Sequence, residues 1–212
     1  MFNPMNALYH ELFRAIERYR SYPNVEIEAR LGWKKGSYFD TNIQIEFFEV
    51  LKKKLKSAHS MIERHESTDV HILDQCRVIV KDGKVKEVHK KIKLFEMDLG
   101  LEGSPYDVRV SVCQERPIEQ TISKLPNNSL IRSRQRHQFL YKMFNYDLTK
   151  VLVHATNSHV YEFELELNLH NVSRKTHSSH YLAHSMAMKI EDIVKFSVDD
   201  CENIHLKNVT YL

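Results

Sequence analysis

The stretch Tyr161-Glu162-Phe163-Glu164-Leu165-Glu166-Leu167 sets glutamates and large apolar residues in strict alternation. Successive side chains of a β-strand point to opposite faces, so Glu162, Glu164 and Glu166 share one face and Tyr161, Phe163, Leu165 and Leu167 the other. Carboxylates in a row repel one another unless a cation or basic side chains sit among them. A second such stretch lies far upstream, Val25-Glu26-Ile27-Glu28-Ala29-Arg30-Leu31-Gly32, with Glu26, Glu28 and Arg30 on one face and Val25, Ile27, Ala29 and Leu31 on the other. Laid side by side, the two strands gather four or five carboxylates, the hard oxygen environment that Mg²⁺ or Mn²⁺ prefers.

Working outward, Asn3-Pro4 opens a helix in which Leu8, Leu12, Ala15, Ile16 and Tyr19 keep helical spacing up to Tyr22-Pro23, delivering the chain into the first glutamate strand. Thr41 or Asn42 is expected to cap a second helix with Ile43, Phe47, Val50, Leu51 and Leu55 on one face and a solvated lysine run, Lys52-Lys53-Lys54 and Lys56, toward its end. From Ser60 the pattern turns to strands. Asp82-Gly83 marks a hairpin between residues 75–81 and 84–95, and further strands are expected over 106–114, 130–140, 143–153 and 159–169. Residues 99–105, with two glycines and a proline, are expected to form a mobile loop, and a late helix runs from Ser179 to Phe196.

A chain of 212 residues suits a single domain with a substantial core, and a net charge of +3 is too small for a nucleic-acid coat. With 31 basic against 28 acidic residues, position matters more than the sum. No apolar run approaches transmembrane length, and residues 1–9 lack the pattern of a secretion signal, so an intracellular protein with no membrane association is expected. Three scattered cysteines, Cys76, Cys113 and Cys201, suggest neither a disulfide framework nor a zinc knuckle, and the thirteen histidines, none closely paired in sequence, are given structural or surface roles.

The strands share a further regularity. Arg109, Ser111, Cys113 and Glu115 lie on one face of theirs; Arg132, Arg134 and Arg136 form another row; Lys91 and Lys93, Asp147 and Thr149, and Arg77 repeat the arrangement. An open sandwich with its charged parity in solvent also gives one charged and one apolar face per strand. Solvent faces, however, mix residue types, whereas these rows segregate into acidic strands and strands dominated by Arg or Lys. A closed barrel with its apolar parity outward beneath helices brings the rows to face one another across a hydrophilic interior, a tunnel for a polyanion held with a divalent metal. The fold class is therefore α+β, a closed antiparallel β-barrel with flanking helices.

With these residues in place, the chain resembles the triphosphate tunnel metalloenzymes. The two glutamate strands look like that superfamily's metal-binding motifs, and the basic strands between them resemble the RNA triphosphatases of fungal and DNA-virus mRNA capping systems, most of all the triphosphatase domains of mimivirus-type capping enzymes. The resemblance covers about Val25 to Leu167. It implies Glu26, Glu28, Glu164 and Glu166 as metal ligands with Glu162 beside them, and Mg²⁺ or Mn²⁺ as the ion. It implies that Arg77, Lys93, Arg109, Arg132 and Arg134 hold phosphates, joined by Lys91 and Arg136, that Asp147 and Thr149 support them, and that Glu115 orients the attacking water. Where the family usually has a basic residue two before the Asp, this chain has Asn145. The implied activity is removal of the γ-phosphate of triphosphate-ended RNA in the first step of capping, by one domain over 1–212 that stands alone or precedes a guanylyltransferase in a longer enzyme, in host cytoplasm or virion if the source is viral. Two other readings remain open on sequence: hydrolysis of tripolyphosphate or nucleoside triphosphates on the same tunnel, and a non-catalytic phosphate- or RNA-binding module. On repulsion alone, neutralising Glu28 or Glu164 is expected to stabilise the metal-free protein.

Overall fold

A computed structural model describes residues 4–73, 76–101, 103–118, 129–172 and 177–209, with the side chains of the last helix described through 196. Asn3, Gln75 and the side chain of Cys201 lie outside the described residues. The order of elements is α1 (Pro4–Tyr19), β1 (Val25–Lys35), β2 (Tyr38–Asp40), α2 (Ile45–Ser57), β3 (Ile62–Leu73), β4 (Cys76–Lys81), β5 (Lys84–Leu99), β6 (Asp107–Pro117), β7 (Leu130–Tyr141), β8 (Phe144–Val153), β9 (Ser158–Leu167), a 3₁₀ turn (Leu169–Asn171) and α3 (Ser179–Val209). No described helix is long and apolar enough to cross a membrane.

The nine strands of the described residues form one antiparallel sheet in the order β2-β1-β6-β5-β4-β3-β7-β8-β9, and β1 also pairs with β9. That pairing closes eight strands into a barrel, with β2 folded onto the extension of β1. The seam is short: Glu28 faces Glu166, Ala29 faces Leu165 and Arg30 faces Glu164. The two acidic strands are thus direct neighbours, the arrangement that gathers their carboxylates.

The apolar parity points outward. Ile27, Ala29 and Leu31 of β1, Val108, Val110 and Val112 of β6, and Phe163 and Leu165 of β9 are wholly buried in one core with Leu8, Leu12, Ala15 and Ile16 of α1 and Leu182, Ala183, Met186 and Ile190 of α3. Each such side chain contributes roughly 1.5–3 kcal/mol by leaving water. Phe47, Phe48, Leu51 and Leu55 bury the inner face of α2 in the same core.

Local chemistry fixes the connections. Asp82 and Gly83 both have positive φ, 53° and 69°, which gives the tight β4–β5 hairpin its type I′ twist. Gly32 is required by close approach, since a Cβ there would stand 2.2 Å from the Asp40 carbonyl oxygen of β2. Two expectations need correction. The N-cap of α2 is Gln44, without a side-chain cap. Thr41 and Asn42 are engaged elsewhere, the Thr41 hydroxyl donating to Glu162 and the Asn42 Oδ1 accepting from the Tyr161 amide, so both tie this segment to β9. The 99–105 connection is anchored: the Trp33 indole donates to the Pro105 carbonyl at 2.8 Å, Ser104 closes a turn onto Tyr106, and Leu101 is buried.

Candidate active site

Inside the barrel the charged parities meet around a cavity of about 250 Å³. One wall is acidic, with Glu26 and Glu28 from β1 and Glu162, Glu164 and Glu166 from β9; the facing walls carry Arg77 from β4, Lys91 from β5, and Arg132, Arg134 and Arg136 from β7. The strand period puts the charged side chains of each strand on one face, and closure of the barrel turns that face inward.

Arg30 stands at the centre of the acidic wall, and its Nη2 donates to Oε1 of both Glu28 and Glu164 at 2.9 Å. Sequence reasoning put Arg30 on this face and gave it no role. Burial works to raise the pKa of the Glu28 carboxyl, but Arg30, Lys91 and the Ser111 hydroxyl, 2.8 Å away, outweigh it and hold the value at about 2. Lys91 also pairs with Glu26 and lies 3.8 Å from Glu115. Burial lowers the affinity of Lys91 for its proton, yet Glu28 and Glu26 carry the balance upward.

Glu166 is in the opposite condition. Burial, then the charges of Glu26 and Asp147, push its pKa up to about 8, while its hydrogen bond is to the neutral Asn145 amide at 3.4 Å. Asn145 occupies the position where a basic residue was expected, so no cation stands there to hold Glu166 ionised. Burial raises Glu26 as well; Lys91 opposes this, and Glu28 and Glu115 add to it. These residues fit a hard divalent cation: the donor set is all carboxylate oxygen, and two members bear a burial and crowding cost that such an ion would relieve.

On the basic side, Arg134 is crowded. Burial and then Arg136 lower its pKa to about 10, and its Nη2 contacts the Thr68 hydroxyl at 3.3 Å. Arg136 is 3.1 Å from Asp147, whose own pKa burial raises to about 6 against the pull of Arg136. Beside it, the Thr149 hydroxyl is buried with no hydrogen-bond partner among the described residues.

Two of the expected site residues, Arg109 and Lys93, lie apart from this centre, beyond the end of the acidic wall that Glu162 marks. Glu162 accepts from Arg132 at 2.8 Å and from Thr41 at 3.0 Å, toward one mouth. Arg109 is held by Asp98 at 2.6 and 2.9 Å and by Glu96 at 3.2 Å, and Lys93, its side chain 60% exposed, pairs with Glu96 at 2.8 Å. Arg109 and Lys93 rim that same mouth, with Thr41 and Cys113 nearby. The ladder beside them is irregular: Lys93 faces Cys113 but Phe95 faces Val112, so Leu94 is an extra residue, and beyond it Glu96 and Asp98 join Lys93 and Arg109 on the inward parity.

The other mouth opens beside Glu26, Glu115 and Glu166 into a vestibule of about 560 Å³, whose walls include Val88, Pro117, Ile118 and Asn168. Burial works against ionisation of Glu115, but the nearby His89 imidazole and the Lys91 charge bring its pKa to about 2. His89 Nε2 is 3.2 Å away. Sequence reasoning missed His89, although it shares the parity of Lys91.

The family model described as mRNA capping enzyme, beta chain, matches residues 37–208. The chain belongs to this mRNA triphosphatase family. Its tunnel is that of a divalent-metal-dependent RNA 5′-triphosphatase acting in mRNA capping. The matched span starts beyond β1, so Glu26 and Glu28 enter by the seam with β9. Among solved structures, the mRNA triphosphatase is similar to the Pct1 RNA triphosphatase of S. pombe bound to the Spt5 CTD, with 17% identity and a TM-score of 0.64 over 99% of this chain and 93% of that one. It is also similar to the RNA triphosphatase domain of a trifunctional mimivirus mRNA capping enzyme, with 14% identity and a TM-score of 0.59 over 88% and 95% of the two chains. At these identities the likeness bears on the fold, and it agrees with the closed tunnel. Compared as a sequence with curated proteins, the chain has no match.

Proposed function

We propose that Glu26, Glu28, Glu164 and Glu166 hold the divalent cation, Mg²⁺ with Mn²⁺ as a competent substitute, and that Arg77, Arg132, Arg134 and Arg136 hold the 5′-triphosphate. The observation that carries this reading is the geometry of one closed space, in which a wall of glutamates faces Arg77, Arg132, Arg134 and Arg136; the burial that raises Glu166 and the crowding that lowers Arg134 agree with it. A metal-bound polyphosphate answers both. Held by the carboxylates, the ion would neutralise charge on the phosphoryl oxygens.

The remaining work belongs to the side chains. Arg134 and Arg136 offer charge-assisted donors to the phosphoryl oxygens, and Asp147 fixes the Arg136 guanidinium. With a pKa of about 2, Glu115 is a poor proton acceptor; it accepts a hydrogen bond from water and aligns it. The new bond joins that water oxygen to the γ-phosphorus as the bond to the bridging oxygen breaks; the water's proton leaves on an oxygen of the released phosphate, and the products are a diphosphate RNA end and inorganic phosphate. Because Glu115 borders the vestibule, water approaches from that side and the RNA extends through the mouth rimmed by Arg109 and Lys93.

Every tunnel contact named is made to phosphate, so free ATP and tripolyphosphate are substrates as well. The test is phosphate release from triphosphate-ended RNA, ATP and tripolyphosphate with Mg²⁺, Mn²⁺ or EDTA. Turnover of all three that disappears in EDTA is expected. Binding of triphosphate RNA without phosphate release under either ion refutes the roles assigned here.

A further inference from the structure

Outside the tunnel, β3 and β7 bring together metal-type ligands for which hydrolysis has no use. We propose that Glu63, His65 and His137 form a site for a borderline transition cation of the Zn²⁺ or Co²⁺ class, separate from the all-carboxylate tunnel.

His65 and His137 are directly opposed in the β3–β7 ladder, and Glu63 precedes His65 by two residues, so the strand period puts all three on one face. That face is the outer one, because the opposite parity of both strands, including Thr68 and Arg134, lines the tunnel. His65 Nε2 lies 2.9 Å and His137 Nδ1 3.4 Å from the same oxygen, Glu63 Oε1. One ligand atom from each residue lies within 4.8 Å of the other two. The imidazoles stand nearly perpendicular, at 85° with centroids 4.3 Å apart, so their nitrogens converge while the rings avoid each other.

Two imidazoles and one carboxylate supply three vertices, and a His65 side chain that is 55% exposed leaves water to complete a tetrahedron. Nitrogen donors select Zn²⁺, Co²⁺ or Ni²⁺ over Mg²⁺, the reverse of the tunnel's preference. Lys56 Nζ reaches the other carboxylate oxygen, Glu63 Oε2, at 3.7 Å, which steadies that group while leaving Oε1 to the histidines. The next rung inward pairs Glu66 with Arg136. A cation clamped across His65 and His137 therefore staples the two strands directly behind the phosphate-binding wall.

The probe is Co²⁺, added to the full chain after removal of adventitious metal and read by its visible absorption. Expected is a band saturating near one equivalent, abolished by one equivalent of Zn²⁺ and unmoved by millimolar Mg²⁺. H65A and H137A should each weaken Co²⁺ binding at least tenfold, whereas the tunnel variant E166Q keeps it. Should H137A fail to fold, H65A carries the test, its side chain being half in solvent. The proposal is overturned if H65A binds Co²⁺ within tenfold of the wild type, if the band is lost in E166Q, if Mg²⁺ displaces it, or if no band forms.

Discussion

Glu28 and Glu166 face each other across the barrel seam, and neutralising them should move the stability of the metal-free protein in opposite directions. Glu166 has its pKa raised from 4.5 to about 8, a difference of roughly 3.5 units at about 1.4 kcal/mol per unit. Between those values the folded carboxyl keeps a proton that the unfolded chain has released, so stability falls as pH rises through that window. The full figure is about 5 kcal/mol above pH 8; relaxation and water penetration reduce it, and E166Q is expected to stabilise by about 1–3 kcal/mol at pH 8 and by nearly nothing at pH 4. Glu28, held at about 2, contributes stability that is present above pH 4.5 and lost only as pH falls toward 2. E28Q removes that contribution and leaves Arg30 and Lys91 short of a partner, costing on the order of 2–3 kcal/mol throughout pH 5–9. Repulsion among the glutamates, read from sequence, gave E28Q a stabilising sign; Arg30 and Lys91 in the wall reverse it. Urea titrations in EDTA at pH 4, 6 and 8 measure both gaps. Shifts of the same sign for the two variants, or an E166Q gain that shrinks as pH rises, refute the account of the wall.

R134A should lower kcat at least about 10²-fold through loss of a charge-assisted phosphate contact without lowering the melting temperature of the metal-free protein, since the guanidinium it removes is crowded by Arg136. K93A, altering an exposed side chain paired with Glu96, should change kcat/KM less than tenfold; equal losses in the two variants refute the placement of the mouth. E115Q should reduce kcat by about 10²-fold through misaligned water while keeping the rise in melting temperature on Mn²⁺ addition. The pH–rate profile between pH 5 and 9 should show no limb assignable to Glu115. G32A should destabilise by several kcal/mol, because its Cβ would meet β2 backbone at 2.2 Å, and denaturant unfolding that finds less than about 1 kcal/mol contradicts the close crossing.

Much of this was legible because a strand's period leaves little choice. Once Glu164 points inward, Phe163 and Leu165 must point out, and a closed barrel under helices satisfies both. The rows Arg132-Arg134-Arg136 and Glu26-Glu28 follow the same rule. Parity stops being a guide where the ladder slips: beyond the extra residue Leu94 the inner face passes to Glu96 and Asp98, so strict alternation hid the partners of Arg109 and Lys93. Nor does parity report partners. Thr41 reads as a helix cap in sequence because nothing local shows that its hydroxyl reaches Glu162, and Arg30 reads as one more charge because its bridge between Glu28 and Glu164 exists only after β1 meets β9. The His65–His137 pair was invisible for the same reason, the two residues being distant in the chain and adjacent only across strands.

The short β1–β9 seam carries a consequence for how the enzyme comes into being. Its three rungs join residues separated by well over a hundred positions, among the most costly contacts for the chain to find. Three of the four proposed metal ligands sit on those rungs, so the ligand set does not exist in any partly folded form that lacks closure. On the ribosome, activity has to wait until β9 has emerged and returned to β1. In the mature protein, a fluctuation that parts the seam separates three of the four proposed ligands, so hydrogen exchange at Ala29 and Leu165 should slow when a divalent ion is bound.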